Sequence, residues 1–386
     1  MATLPPSQRS ANGDKALPRD FVVSQDVFEL ETEKIFNQSW LYVCRVSEIS
    51  EASGLYRFEL LNDHLFLALG EDGQLRAFRN YCRHRGSELV TPENCESMGS
   101  RIQCPYHAWT YDRSGKLLAA PNMMDAEGFE SSEWGLNSVH CEVWHGFVFV
   151  HLGNPDDSLA EFLKPLAEHA VDWNFDQLVV AEELVYTVQA NWKLIFQNYN
   201  ECYHCPSVHP ALNRLTPYKG ATNDVASGPI LGGPMKLADD CQTMSSDGNR
   251  VANFLPGLSD EQKRMVAYYT VFPGLFISPH PDYVLLHRIE RASTGESRVV
   301  CQLLFHPGSI ARTDFNPTAA VEFWDLTNRQ DWRVCELAQR GIGDVTYEPG
   351  PYSNLESVVA AFDRHYRERM DQNHQNRQPI GFPCAD

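Results

Sequence analysis

No stretch of the chain reaches the roughly 18 apolar residues of a membrane span, and the opening residues, MATLPPSQRSANGDKALPRDF, hold no apolar core of the kind a signal peptide needs. The expected compartment is the cytoplasm. Basic residues are scarce: 32 Lys and Arg stand against 51 Asp and Glu, for a net charge of −19. Such a chain cannot easily build the basic stripe that nucleic acid or an anionic membrane requires, so neither partner is expected. Internal repeats, low-complexity tracts and the glycine-rich fingerprints of flavin or nicotinamide sites are also missing. Cysteine is present, but not as a disulfide framework. There are eleven, an odd number, and only Cys82 and Cys104 stand in tight motifs with histidine, which suits reduced thiols and a metal site.

What the chain does have is enough length, 386 residues at 43% apolar content, for two cores. A Pro-, Ser-, Asn- and Gly-rich arm is expected over residues 1 to about 20. Short strands begin at Tyr56: YRFEL, HLFLAL, a turn at Glu71-Asp72-Gly73-Gln74 whose Asp-Gly is a hairpin signal, and LRAF. The β-rich stretch runs on to VWHGFVFVHL at 143–152. SLAEFLKPLAEHAVD reads as a helix and LVVAEELVYTVQA, 178–190, as a strand. NWKLIFQNYNECYH lacks strand alternation and is expected to be a helix ending near Pro206. Residues 214–260, polar and poorly patterned, are expected to form a mobile loop region. AYYTVF, YVLLHRIE and SRVVCQLLF read as strands before two helices at about 317–342 and 354–372. Strands packed on long helices without βαβ alternation indicate an α+β fold.

Cys82-Arg83-His84 and Cys104-Pro105-Tyr106-His107 are two short pairs separated by nineteen residues, each offering one thiolate and one imidazole. Two thiolates on one iron and two imidazoles on the other ligate a [2Fe–2S] cluster asymmetrically. A structural zinc ion uses the same ligand set, but normally pairs Cys with Cys and His with His along the chain. Cys95, in the intervening loop, is either a third thiol near the metal or a small buried residue.

A second constellation lies at 191–210. His204 and His209 are five apart, about 140° around an ideal helix, so they can face one metal only if the helix breaks between them; Pro206 is the expected break. Two histidines and a carboxylate on one face of Fe(II) leave positions open for O₂ and substrate. The expected distant acid is Asp331, which falls on a largely apolar helical stripe with Trp324, Thr327, Asn328, Val334, Cys335 and Ala338, where a carboxylate is costly unless bound. Asp325 lies off that stripe. Glu201 stands one helical turn before His204.

RNYCRHRGSELV and CPYHAWTYDRSGKL resemble the cluster motif of Rieske non-haem iron oxygenase α subunits, and 191–210 resembles their iron-ligand motif. The resemblance runs from about Phe28 to Gln372. It implies an antiparallel β Rieske domain at 40–155 inserted in a helix-grip (START/SRPBCC-like) catalytic domain, to which residues 1–39 contribute an arm and helix and 156–386 the rest. It implies Cys82, His84, Cys104 and His107 as cluster ligands, His204, His209 and Asp331 as ligands of a mononuclear Fe(II), and Glu201 as the acid linking the two centres across a subunit boundary. The nineteen-residue spacing exceeds the family's usual one and implies a longer connecting hairpin. Glutamate at 201 and ISPHPDYVLLHRIE at 277–290 are similar to the glycine betaine, choline and carnitine monooxygenase branch. The expected partners are a second and third copy in a trimer and a separate NAD(P)H-dependent flavin/iron–sulfur reductase. The expected reaction is O₂-dependent hydroxylation of a quaternary ammonium compound, ending in N-demethylation or C–N cleavage, with Tyr199, Tyr203, Phe196, Trp192 and Trp324 as candidate cation-binding aromatics. Hydroxylation of an aromatic ring or acid is the alternative, and a pure electron carrier would need no second site.

Overall fold

The computed structural model describes residues 14–49 and 51–371. The expected N-terminal arm lies outside them as far as residue 13. From Asp14 the chain is tied down, with Ala16 N donating to Gly350 O at 3.0 Å. Helices α1 (Asp20–Val23) and α2 (Gln25–Lys34) follow. Glu31 of α2 is fully buried, which is costly for an unpaired carboxylate. It accepts from Trp192 Nε1 (2.9 Å) and Tyr366 Oη (2.8 Å) and pairs with Lys193 and Arg291. This network ties α2 to helices far along the chain.

Strands β1 (Leu41–Arg45), β2 (Leu55–Leu60), β3 (Asp63–Leu69) and β4 (Leu75–Arg79) precede the short β5 (Ile102–Gln103), β6 (Thr110–Tyr111) and β7 (Leu117–Ala119), then β8 (Ser138–Trp144) and β9 (Phe147–His151). They form a six-stranded sheet in the order β1-β9-β8-β4-β3-β2 and a three-stranded sheet β5-β6-β7, all antiparallel. The β3–β4 turn is the expected Asp-Gly one, with Gly73 at φ +73°. HLFLAL lacks alternation because both faces of β3 are covered. Phe66 and Ala68 join the core that encloses Cys82 and Cys104, while Leu65 and Leu67 pack against the rest of the molecule. The expected connecting hairpin between the Cys/His pairs does not form. The chain turns instead around Asn94, which accepts from Thr91 N (2.8 Å) and donates to Leu89 O (3.0 Å), so a side chain supplies the bonds a strand ladder would have supplied.

The helix expected over SLAEFLKPLAEHAVD is two, α3 (Leu159–Phe162) and α4 (Lys164–Ala170), broken at Leu163 beside Pro165. Strands β10 (Val179–Val188), β11 (Val225–Ala226), β12 (Ile230–Lys236), β13 (Met265–Val271), β14 (Leu275–Pro279), β15 (Val284–Ser293) and β16 (Glu296–Phe305) make a seven-stranded antiparallel sheet in the order β10-β16-β15-β14-β13-β12-β11. One face, with Ile277, Val284 and Leu286, packs on Phe147, Leu159 and Leu166. The other, with Phe276, Leu285 and Leu303, is covered by helices α5 (Trp192–Tyr199), α9 (Thr318–Ile342) and α10 (Ser357–Asp371); α6 (Cys205–Val208), α7 (Pro210–Leu215) and α8 (Pro307–Ile310) are short connecting helices. The sheet and α9 are the grip, and the architecture is the expected α+β one.

The loop region expected over 214–260 is a correction, because it contains β11 and β12. Gly232-Gly233-Pro234 disguises the strand: Gly232 sits at φ +130°, and a Cβ there would lie 1.9 Å from Tyr268 O. Glycine is required by the close approach of β13, and the sequence then reads as loop. The irregular remainder is held by Asp282, which accepts from Thr243 Oγ1 (2.6 Å), Val251 N (2.9 Å) and Ala252 N (3.2 Å).

Asn191 caps α5 and also joins it to its surroundings. Its Oδ1 accepts from Lys193 N (3.1 Å) and its Nδ2 donates to Val22 O (3.0 Å) and Thr294 O (2.9 Å). Asn191→Ala removes the cap and deprives two carbonyls of their donor, an expected cost of about 3 kcal/mol. Urea unfolding should show a lower midpoint at unchanged slope; an unchanged midpoint would mean these bonds contribute nothing.

Candidate metal centres and substrate cavity

The two Cys/His motifs fold into matched turns. Cys82 N donates to Ser87 O (2.8 Å) and Gly86 N to Cys82 O (2.9 Å); Cys104 N donates to Trp109 O (2.8 Å) and Ala108 N to Cys104 O (3.1 Å). The fourth residue after each cysteine has positive φ, +73° at Gly86 and +58° at Ala108. Each loop thus buries its sulfur at the base and carries its imidazole at the tip. Cys82 and Cys104 are free thiols in one core, with Cys82 Sγ 3.4 Å from Tyr111 Oη. Burial pushes the Cys82 thiol above its ordinary pKa, against the hydrogen bond from Tyr111. The imidazoles of His84 and His107 lie 4.7 Å apart by ring centroid, and His84 stacks on Trp109 at 4.8 Å. Cys95 packs half-buried against the same core.

The donor set and its spread decide what these loops fit. His84 Nδ1 is buried without a protein hydrogen-bond partner, as a metal-bound nitrogen would be. Four ligands at about 2.0–2.3 Å from one zinc would sit within roughly 4 Å of one another. Among the described residues, however, only His204, His209 and Asp331 bring three such atoms within 4.8 Å. The Cys/His quartet is therefore too spread for a single ion and fits two irons bridged by sulfide, with the sulfurs inside and exposed His107 at the surface.

The expected helix at 191–204 stops early, which is a second correction. α5 ends at Tyr199, where Asn200 N donates to the carbonyls of Phe196 and Gln197. Glu201 is consequently not on a helix. Its Oε2 accepts from the backbone amides of Tyr203 and His204, the kind of local acidic turn that competes with helix. Pro206 lies in the first turn of α6, where no N–H is needed, and is not the break. His204 precedes α6 and His209 sits at the α6–α7 junction before Pro210.

This chain path points both imidazoles at Asp331 of α9. Its Oδ1 lies 2.8 Å from His209 Nε2 and 3.3 Å from His204 Nε2. Each far nitrogen is held by an oxygen: His204 Nδ1 donates to Glu201 Oε1 (2.5 Å) and His209 Nδ1 to Gln330 Oε1 (2.7 Å). Both Nε2 atoms are thereby directed at one place, the usual support of a metal-ligating histidine. Burial disfavours charge on His204, but the hydrogen bonds to Asp331 and Glu201 outweigh it and lift its pKa to about 10 in the metal-free chain. Burial likewise opposes the Asp331 charge, and the bonds from His204 and His209 overcome it and hold the carboxyl below its ordinary range. Asp325 is occupied elsewhere, by Arg329 (2.9 Å) and Tyr186 Oη (2.8 Å). The donor set fits a mononuclear Fe(II) with open positions. Ala338 of the expected stripe is exposed and Trp332 is buried in its stead.

A cavity of about 360 Å³ opens onto this triad, a size suited to a small molecule. Tyr199, Tyr203 and Trp324 line it; Trp192 and Phe196, two of the expected aromatics, do not. Trp192 faces Glu31, and Phe196 stacks on Phe362 at 5.1 Å. Tyr218, Tyr268 and Met235 line the cavity unforeseen. Strand alternation on β13, with Val266, Tyr268 and Thr270 on one face, could have found Tyr268. Gln330 carries no signal beyond its place beside Asp331.

Residues 175–372 match the family described as ring hydroxylating alpha subunit (catalytic domain), and residues 39–130 the Rieske [2Fe–2S] domain. The glycine betaine monooxygenase oxygenase subunit of Pseudomonas aeruginosa is 28% identical over 95% of this chain and 91% of its own length. That of Chromohalobacter salexigens is 30% identical over 94% of this chain and 87% of its own. A solved quaternary ammonium Rieske monooxygenase, studied for carnitine oxidation and inter-subunit electron transfer, superposes with a TM-score of 0.78 at 22% identity, covering 96% of this chain and 100% of that one. At that identity the likeness speaks for the fold alone.

Proposed function

Because this chain belongs to the ring-hydroxylating α-subunit family of Rieske non-haem iron oxygenases, we propose that it is a terminal oxygenase hydroxylating a carbon next to the nitrogen of a quaternary ammonium substrate of the betaine or carnitine kind. The observation that carries this reading is the aromatic-walled cavity on the His204–His209–Asp331 triad. Glycine betaine is the substrate for which the relatives matched over 91% and 87% of their own length are named.

The family's two cofactors are a [2Fe–2S] cluster and a mononuclear iron. We assign Cys82 and Cys104 to one cluster iron, His84 and His107 to the other, and His204, His209 and Asp331 to the mononuclear iron. When bound, these groups supply single electrons and the activation of O₂ for insertion of one oxygen atom into a C–H bond. The chain's own part is positional. Glu201 and Gln330 hold the ligand imidazoles in the tautomer that frees Nε2. Tyr199, Tyr203 and Trp324 line the cavity, and aromatic rings attract a trimethylammonium group, which has no N–H to donate. Hydroxylation at an N-methyl carbon gives a hemiaminal, whose collapse releases formaldehyde and the demethylated amine. Glu201, already bonded to His204, is assigned the link to a cluster histidine of a neighbouring copy in a trimer. As an oxygenase subunit the chain works with a reductase, which we take to be NAD(P)H-dependent with flavin and iron–sulfur centres. We place residues 40–155 as the Rieske domain and 1–39 with 156–386 as the catalytic domain. No helix among the described residues is long and apolar enough to cross a membrane, and the described cysteines are free thiols, which supports a cytoplasmic setting.

O₂ uptake with a generic reductase on glycine betaine, carnitine, choline and aromatic acids tests the reading. Uptake coupled to formaldehyde or to C–N cleavage should appear with a quaternary amine; coupled turnover of the aromatic acids alone would contradict it. A finer outcome concerns charge. A cation on desolvated aromatic faces gains about 2 kcal/mol, so an uncharged isostere with carbon in place of nitrogen should show a KM roughly thirtyfold higher. Equal KM values would remove the aromatic faces from recognition.

A further inference from the structure

Two cysteines three residues apart stand in the wall of the same cavity. Cys202 and Cys205 bracket Tyr203-His204 in one turn, closed by Cys205 N donating to Cys202 O at 3.2 Å. The ends of such a turn lie within about 7 Å, Cα to Cα, and a disulfide spans about 4.4–6.8 Å. The pair is therefore within reach of a bond once the turn tightens. Cys202 is half-buried and Cys205 buried, and both line the cavity. A third sulfur is at hand, Met235 Sδ, 3.9 Å from Cys202 Sγ. On the other side Cys205 Sγ lies 4.0 Å from His204 Nε2, the nitrogen assigned to iron. The remaining cysteines in the core around this sheet, Cys241, Cys301 and Cys335, are buried outside the cavity wall.

We propose that Cys202 and Cys205 are an oxidisable dithiol that closes to a disulfide under hydrogen peroxide and so switches the His204 turn out of its metal-holding shape. The proposal rests on the oxygenase reading for the source of oxidant. When O₂ takes two electrons and two protons without oxidising substrate, it leaves the site as hydrogen peroxide, a few ångströms from these sulfurs. The step is balanced by peroxide alone. The more accessible Cys202 sulfur attacks the O–O bond and becomes a sulfenic acid, releasing one water; the Cys205 sulfur then displaces hydroxyl from it, forming the S–S bond and a second water. Two thiols lose two hydrogens and one peroxide becomes two waters. To bond, the sulfurs must close to about 2.05 Å. That draws together the two ends of the turn carrying His204, whose Nε2 must stay beside those of His209 and Asp331 to bind metal. Reduction by a thiol reopens the turn, so the loss is reversible.

The test uses the metal-loaded full chain. A few equivalents of hydrogen peroxide are added, free thiols are blocked with N-ethylmaleimide, and the protein is digested with trypsin. Cleavage after Lys193 and Arg214 yields residues 194–214, a peptide whose only cysteines are these two. The expected result is a peptide two hydrogens lighter and unalkylated, restored by dithiothreitol, together with release of about one iron per chain to a ferrous chelator. Repeating the treatment on metal-free protein should give the same disulfide, and Cys202→Ser should lose both the disulfide and the peroxide-dependent iron release. A peptide that stays doubly alkylated, or a disulfide that forms while all iron is retained, overturns the proposal. Neither readout involves substrate, so failure here leaves the oxygenase reading standing. If that reading fails instead, added peroxide still decides whether the dithiol closes.

Discussion

Asp331→Ala should yield a protein with an intact cluster, no mononuclear iron and turnover reduced by at least about a thousandfold. One carboxylate oxygen lies within 3.3 Å of both ligand imidazoles, so its removal takes away the only charged ligand and leaves two neutral nitrogens, too few to retain Fe(II). The fold should tolerate the change. Alanine is the best helix former, and the carboxylate sits on a face otherwise buried with Trp324, Thr327, Asn328 and Cys335, where its charge is costly without a partner. The variant should lose about one iron per chain while the visible spectrum of the cluster, held far along the sequence by the 82–107 loops, is unchanged. Full iron content and activity in Asp331→Ala would show that another group completes the site, and Asp325 would be the first to examine.

Glu201→Gln separates metal binding from electron transfer. The glutamate holds His204 Nδ1 at 2.5 Å through one oxygen and the His204 amide at 3.1 Å through the other. Glutamine keeps one acceptor for Nδ1–H, enough to preserve the tautomer, but places a donor amide against the backbone amides and removes the negative charge. Both metal centres should therefore survive, with a local cost of about 1–2 kcal/mol for the unmet amides. Substrate-dependent turnover should fall about a hundredfold or more. Mixing pre-reduced enzyme with O₂ and substrate isolates the step from the reductase, and cluster reoxidation should slow in the variant by that factor. Normal reoxidation and product yield would leave Glu201 as an orienting partner of His204 only. Glu201→Asp, which keeps the charge on a shorter arm, should recover part of the rate.

The features legible in the sequence are those written locally. Each Cys/His loop is a short contiguous turn in which histidine follows cysteine by two or three residues and the left-handed residue by four, so it shows in a dozen letters. The place of Asp331 beside the two imidazoles was legible because an acid on an apolar helical stripe is costly unless it finds a partner there. What the sequence concealed depends on contacts between distant segments. The end of α5 carries no Gly or Pro at the break; Asn200 and the acidic turn at Glu201 end the helix, and the one visible breaker, Pro206, sits where helices accept proline. Strand β12 looked like loop because β13 passes so close that only glycine fits. Trp192 and Phe196 seemed cavity residues by nearness in sequence, yet their side of α5 faces α2 and α10. Gln330 could be assigned only once His209 was seen against it.

The claim on which everything else depends is that one chain holds two unlike iron centres, and metal analysis joined to electron paramagnetic resonance tests it most directly. Protein expressed with iron and handled without oxygen should contain about three irons and two acid-labile sulfides per chain. The reduced cluster should give the low-g signal of a mixed His/Cys-ligated [2Fe–2S] centre, and the third iron should be removable by chelation without loss of that signal. One zinc and no sulfide at the Cys/His loops, or two irons and two sulfides with no third iron, would contradict it.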